Sequence, residues 1–517
     1  MRKSIPVIDV FAGPGGLGEG FTSYADSQRQ SPFRIALSIE KDPFAHATLE
    51  LRAFFRQFRN RRVPSSYYRF LRGELSRDGL FSAHRREARV ASSEAWQAEL
   101  GSAPLNQVRR RIASSLGGRG PWVLIGGPPC QAYSVAGRSR NKGVETYDPE
   151  SDAKQTLYVE YLQIIADHRP AVFIMENVKG LLSATLSAKR LFERIVDDLS
   201  NPLIAIGREG RTAVGKNRSL RYRIYPLALS DTLFPTGPGD YLVYAERHGV
   251  PQARHRVILM GVREDLDGNR PSSLREVPPV CTKDVLDGLP HLRSGITTST
   301  DDSDSWLQAL RSARDSQWLA DVRQNGGARV ARQIVSVLND LVAPRKERGA
   351  EFIECNCNVR YRKDWFLDER IAGVCNHSAR SHMITDLHRY LFASSYAKVR
   401  GRSPQLRHFP RRLLPKHGNV RMALTGSEFF ADRFRVQVAD RPATTITSHL
   451  SKDGHYYIHP DPLQCRSLTV REAARLQTFP DNYFFCGNKT SQYVQVGNAV
   501  PPLLALQIAA IVYDVIG

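Results

Sequence analysis

The stretch from Trp122 to Arg140 constrains the fold most. Trp122 to Ile125 are four apolar residues in a row and predict a short buried strand. Gly126, Gly127, Pro128 and Pro129 cannot continue it, so the chain turns and leaves Cys130 on a loop past the strand's carboxyl end. In an open α/β sheet, ligands bind along that edge. The two prolines fix the backbone leading into the thiol, which suits a positioned nucleophile. A small apolar cysteine filling a core is the other reading of this stretch alone.

A second signal lies at the start of the chain. Ile5 to Phe11 predicts a first strand, running directly into Ala12-Gly13-Pro14-Gly15-Gly16-Leu17-Gly18 and then a helix. Glycines at such a turn let backbone approach a ligand closely. The spacing is neither that of a P-loop nor Gly-x-Gly-x-x-Gly, which disfavours ATP and NAD. A second strand, Arg34 to Ile39, ends in Glu40, an acid placed to accept hydrogen bonds from ribose hydroxyls. A third, Ala171 to Met175, runs into Glu176-Asn177-Val178. That puts Glu176 on the same edge as Cys130 and makes the two a geometric pair.

The partner is read from charge. The 517 residues carry 73 Lys+Arg against 52 Asp+Glu, a net charge of +21. Residues 52–119 hold 15 arginines against 5 acids, and residues 398–435 hold 10 basic against 2 acidic side chains. Clusters of this kind suit a surface that tracks phosphates. Residues 52–121 read as an arginine-rich helical insertion, either against DNA or as a peripheral basic layer. No run of 18 apolar residues predicts a membrane span. Seven scattered cysteines predict a reducing compartment without a disulfide framework, hence a cytoplasmic protein.

The rest follows in order. A helix is expected over Thr156 to His168 and another over 188–199, with strands over Val243 to His248 and His255 to Val262. Arg254 and Arg256, at i and i+2, are expected on one face. Residues 264–440 read as a mixed, strand-containing second domain, with a surface turn at Asp301 to Asp304. Cys355, Cys357, Cys375 and His377 could ligate zinc, although the spacing is not that of a usual knuckle; local packing is the alternative, and no metal is assigned. Leu468 to Pro480 predicts a helix with Thr469 as N-cap and Glu472 completing a capping box. An apolar helix closes the chain over Leu503 to Ile516.

Residues 9–21, 126–140, 176–178, 252–256, 441–447 and 497–502 together resemble the ordered motifs of the DNA cytosine-5 methyltransferases, of the bacterial restriction-modification or phage-defence type. Pro-Pro-Cys-Gln, Glu-Asn-Val, Gln-x-Arg-x-Arg and Gly-Asn-x-Val-Pro-Pro occur in that order. The resemblance implies an α/β, Rossmann-like methyltransferase sheet over 1–263, a smaller target-recognition domain over 264–490, and a C-terminal helix over 491–517 returning to the sheet. It implies S-adenosylmethionine as cofactor, lined by Phe11, Ala12, Gly13, Gly15, Gly16, Glu40, Pro129, Asn498 and Val500. The acid expected to contact adenine is not obvious; Glu74 is a candidate. Double-stranded DNA would be the partner, contacted by Gln131, Ser134, Arg138, Arg140 and Thr445. A monomer, nucleoid-associated and accompanied by cognate restriction or defence proteins, is the expected setting.

The chemistry matches these residue types. Carbon 5 of cytosine is too poor a nucleophile to take a methyl group unaided. A thiolate at Cys130 adding to carbon 6 would make it an enamine. Glu176 would hydrogen-bond or protonate ring nitrogen 3, and Arg254 and Arg256 would grip the base oxygen or hold the catalytic groups. A base inside a duplex must first be flipped out. The rival readings are a transfer-RNA cytosine methyltransferase, against which the long basic recognition domain argues, and a catalytically dead DNA-binding protein, against which the intact residues argue.

Overall fold

The computed structural model describes residues 4–58, 63–118, 120–129, 153–186, 189–214, 219–228, 237–266, 268, 270–297, 300–415 and 431–517. Its frame is one mixed sheet of eight strands: β1 (Ile5–Val10), β2 (Phe33–Glu40), β3 (Ala95–Gln97), β4 (Val123–Gly126), β5 (Val172–Val178), β6 (Tyr222–Pro226), β7 (Leu242–Tyr244) and β8 (His255–Arg263). The order is β3-β2-β1-β4-β5-β8-β6, with β7 also pairing β8. From β3 to β5 neighbouring strands are parallel, while β8 runs antiparallel to β5, β6 and β7. The carboxyl ends of β1, β2, β4 and β5 therefore share one edge.

Both faces of the central strands are covered, as parallel strands require. Ile8, Val10, Leu124, Phe173 and Met175 enter one apolar layer; Val7, Val123, Ile125, Val172 and Ile174 enter the other. The second layer holds α1 (Gly16–Ser23) and the closing helix Pro502–Ile516, whose Leu504, Ile508 and Val512 are buried. The C-terminal helix thus returns to the sheet beside the glycine turn.

A separate core gathers residues between Ile296 and Cys465, built by the helices Ser303–Arg311, Gln317–Gln324, Ala328–Asp340 and Ile384–Arg400. A further cluster, with Val285, Leu292, Ile446, Leu468, Leu476, Phe479 and Val496, joins the regions.

Several expectations need correction. Residues 264–440 hold both strands and helices, with Gly349–Glu354 paired to Gly373–Ser378, but amphipathic helices over 303–340 rather than strands build that core. Asp302 is the N-cap of Ser303–Arg311, its side chain accepting from the Ser305 amide, rather than part of a simple turn. The supposed insertion 52–121 contains β3, which extends the sheet beside β2, and the helix Leu105–Leu116, which packs on it. β7 stops at Tyr244, and Ala245–His248 is a helical turn. Cys355 and Cys357 form a disulfide. Buried Cys375 faces the Leu71 carbonyl, and His377 bonds Thr469 Oγ1 and the Pro290 carbonyl. These four side chains are not gathered at one point: two are joined to each other and the other two are bonded elsewhere.

Candidate active site

The glycine turn is held by its neighbours. Phe11, a non-glycine residue, sits at φ 55°, and Gly13 and Gly15 also have positive φ. Such backbone occurs where the surroundings enforce it, often at ligand sites. Glu40 accepts the Gly13 amide at 2.8 Å with one oxygen and the Asp42 amide at 2.8 Å with the other. Ala12 N donates to the Ile39 carbonyl, and the Tyr483 hydroxyl donates to the Pro14 carbonyl. A Cβ added at Gly13 would meet nothing within 4 Å, whereas one at Gly16 would lie 2.1 Å from the Val500 carbonyl oxygen. An open cradle beside Gly13, with a fixed carboxylate at its lip, fits a ribose-bearing cofactor.

Beneath the turn lies Asp9, missed in the sequence because it sits in an apolar strand. It is buried, neither carboxylate oxygen has a hydrogen-bond partner among the described residues, and burial pushes its pKa to about 8. Glu74 belongs elsewhere: it pairs with exposed Arg69 and half-buried Arg72. The strand end that reaches Glu40 is that of β3, where Gln97 stands in register with it. Three residues are too few to show a periodicity, so sequence could not find β3.

The second half of the site spans β4, β5 and β8. Glu176 lies near the end of β5, and its Oε1 is 2.8 Å from Arg256 Nε, both side chains being about 15% exposed. Gly127 packs against it; a Cβ there would be 3.0 Å from Glu176 Oε2. Asn177 Nδ2 donates to the Pro128 carbonyl at 3.3 Å, tying β5 to the turn that ends at half-buried Pro129. Cys130, Gln131, Ser134, Arg138 and Arg140 lie outside the described residues.

Arg254 does not share Arg256's face. Gln252–Ala253 pairs with Ala443–Thr444, and the chain joins the main sheet only at His255, so strand alternation breaks at Arg254. Arg254 is buried, donating to the Ile446 carbonyl at 2.8 Å and the Gly497 carbonyl at 3.3 Å. Burial, with Arg256 nearby, lowers its pKa to about 9. Thr445 Oγ1 donates to the Ala253 carbonyl at 2.5 Å. Asn498 is exposed at the end of helix Lys489–Asn498, and Val500 is buried against Gly16.

Residues 93–202 and 241–513 match the family described as C-5 cytosine-specific DNA methylase. The chain belongs to that family. Type II methyltransferase M.Bpa9945I of Bacillus paralicheniformis is 32% identical to this methylase over 99% of both chains. Type II methyltransferase M.AgeI of Thalassovita gelatinovora is 26% identical over 97% of both. A solved chain assigned as a prophage-encoded DNA modification methyltransferase of E. coli aligns over 99% of both chains at 17% identity, with a TM-score of 0.51, and shares the fold. The methylase thus brings Glu176 and Arg256 together, sets Glu40 against the glycine turn, and puts Arg254 between two returning segments. Sequence reasoning missed the role of Asn177, although it lies inside the Glu-Asn-Val motif; its bond to Pro128 is a contact between strands that spacing cannot show.

Proposed function

We propose that this methylase transfers a methyl group from S-adenosylmethionine to carbon 5 of cytosine in a specific double-stranded sequence, through a covalent Cys130 adduct to a flipped-out base. The observation that carries the reading is the Glu176–Arg256 pair, held against Gly127 in the turn that ends at Pro129.

Phe11, Ala12, Gly13, Gly15, Gly16, Glu40, Pro129, Asn498 and Val500 would hold the cofactor, which supplies an electrophilic methyl group when bound. Glu40 has a lone pair left on each oxygen for ribose hydroxyls. The Cys130 thiolate adds to carbon 6 and makes carbon 5 nucleophilic. Glu176 hydrogen-bonds the ring at nitrogen 3, and Arg256 both fixes Glu176 and stabilises charge developing on the base. Loss of the carbon-5 proton and elimination of Cys130 complete the turnover. Arg254 positions rather than grips, since its contacts are backbone carbonyls. Gln131, Ser134, Arg138, Arg140 and Thr445 are assigned to the DNA side, and residues 264–490 to reading the target. The setting proposed is a cytoplasmic monomer marking its own DNA in restriction-modification or phage defence.

Replacing Cys130 by Ala tests the mechanism. Methyl transfer to duplex DNA is expected to vanish while cofactor binding, measured by calorimetry, persists. Retained turnover would sink the covalent route.

A further inference from the structure

Two buried glutamines join segments that lie far apart in the sequence. Gln252 precedes the two arginines, and Gln477 follows the helix Val470–Leu476. Neither is exposed to solvent. Gln477 Nε2 donates to the Val496 carbonyl at 2.7 Å and the Ala499 carbonyl at 3.3 Å. Its Oε1 accepts from Gln252 Nε2 at 2.7 Å. Gln252 Nε2 also donates to the Leu476 carbonyl at 3.0 Å, and its Oε1 accepts the Ile446 amide at 2.9 Å.

Each amide has its donors and its acceptor used, and each can be placed only one way round. A flipped Gln477 would aim its oxygen at two carbonyl oxygens. Val496 lies in the last turn of helix Lys489–Asn498 and Ala499 is its C-cap, where carbonyls run short of helical partners; the Ala499 amide reaches the Val496 carbonyl at only 3.4 Å. Arg254 takes the carbonyl between them, Gly497. Backbone approach here is close: a Cβ at Gly497 would lie 2.3 Å from the Thr447 and Ser448 backbone. The end of that helix, carrying Asn498 and Val500, is therefore held by side chains that also hold the arginine strand.

We propose that Gln477 is a positioning residue for methyl transfer: it sets the arginine strand in register with the Asn498–Val500 wall. The proposal rests on reading those two elements as the base and cofactor sides of the site. An apolar side chain would fill the space but leave one Gln252 N–H and the Ala499 carbonyl without a partner and the Val496 carbonyl with only the Ala499 amide at 3.4 Å, and loss of that register affects presentation of the cofactor more than capture of DNA.

Two variants test it. In Gln477→Met, cofactor affinity without DNA, read by calorimetry, is expected to weaken about tenfold, turnover on saturating DNA to fall about 10–100-fold, and the KM for DNA to hold within about twofold. Gln477→Glu supplies a second readout. Its carboxylate can accept from Gln252 but repels the Val496 and Ala499 carbonyls, while its neutral acid is isosteric with the amide and donates again. Its turnover, taken as a ratio to the natural protein at each pH, is expected to rise as pH falls. A flat ratio with both variants folded and near natural cofactor affinity overturns the proposal. So does a Gln477→Glu protein that fails to fold even at low pH, since packing would then be the whole role. A natural protein that binds cofactor yet methylates no cytosine overturns the functional reading instead, and the calorimetric comparison still decides the role of Gln477.

Discussion

At the residue scale, the site depends on what is missing as much as on what is present. Gly127 has no side chain where one would press on Glu176, at 3.0 Å from Oε2 and 3.1 Å from the backbone oxygen. Gly127→Ala is expected to displace Glu176 by a few tenths of an ångström and to lower turnover about tenfold. Cofactor affinity and melting temperature should stay near their natural values; unchanged turnover would mean that Glu176 tolerates the shift. Residues of this kind were legible in the sequence by type but not by partner. Glu176 was placed on the right edge by its strand, whereas its bond to Arg256 depends on the antiparallel pairing of β8 with β5, which no local pattern displays. Arg254 was misread for a related reason. Alternation along a strand holds only while the strand continues, and here the chain changes partner at that residue.

At the element scale, the helix Val470–Leu476 was legible throughout, because a capping box is a local device. Thr469 Oγ1 accepts the Glu472 amide at 3.2 Å, and Glu472 Oε2 accepts the Thr469 amide at 2.7 Å. The structure adds a bidentate pair from Arg466 to Glu472, at 2.6 and 2.7 Å, fully buried. Glu472→Gln leaves Arg466 without its charge partner and is expected to cost about 3–5 kcal/mol in urea unfolding; a loss below about 1 kcal/mol would make the pair dispensable. The same joint predicts acid sensitivity. Burial lowers the pKa of His377 and of His459 to about 4, so both are neutral in the folded chain at pH 6. The unfolded chain takes up those protons below about pH 6.5. Their contribution is complete above that value and is lost as pH falls toward 4. Arg466 and His459 hold the Glu472 carboxyl well below the usual range against its burial, so its contribution is present above the ordinary carboxylate pKa and fades only in stronger acid. The urea midpoint is therefore expected to drop between pH 7 and pH 5. A flat profile would place these histidines in a wetter setting. β3 was illegible, being three residues long, and the second core was hidden because its helices are short and separate, and Ile384–Arg400 joins them from far along the chain.

At the scale of the whole molecule, one sheet places every strand-borne part of the site along a single edge, and the chain leaves and returns to it twice. The segments 441–447 and 497–502 meet at Arg254, Gln252 and Gln477. Motifs separated by some two hundred residues of sequence are thereby brought into contact. The excess of positive charge, +21 over the chain, supplies the long-range attraction that a duplex substrate requires. On the reading proposed above, these segments enclose a cytosine of a particular duplex sequence. The most direct test is transfer from labelled S-adenosylmethionine to mixed-sequence duplex DNA, followed by mapping of 5-methylcytosine at single-base resolution. One recurrent motif is expected, with methyl groups on carbon 5 of cytosine. Methylation of another base or atom, or incorporation into RNA and none into DNA, would contradict it.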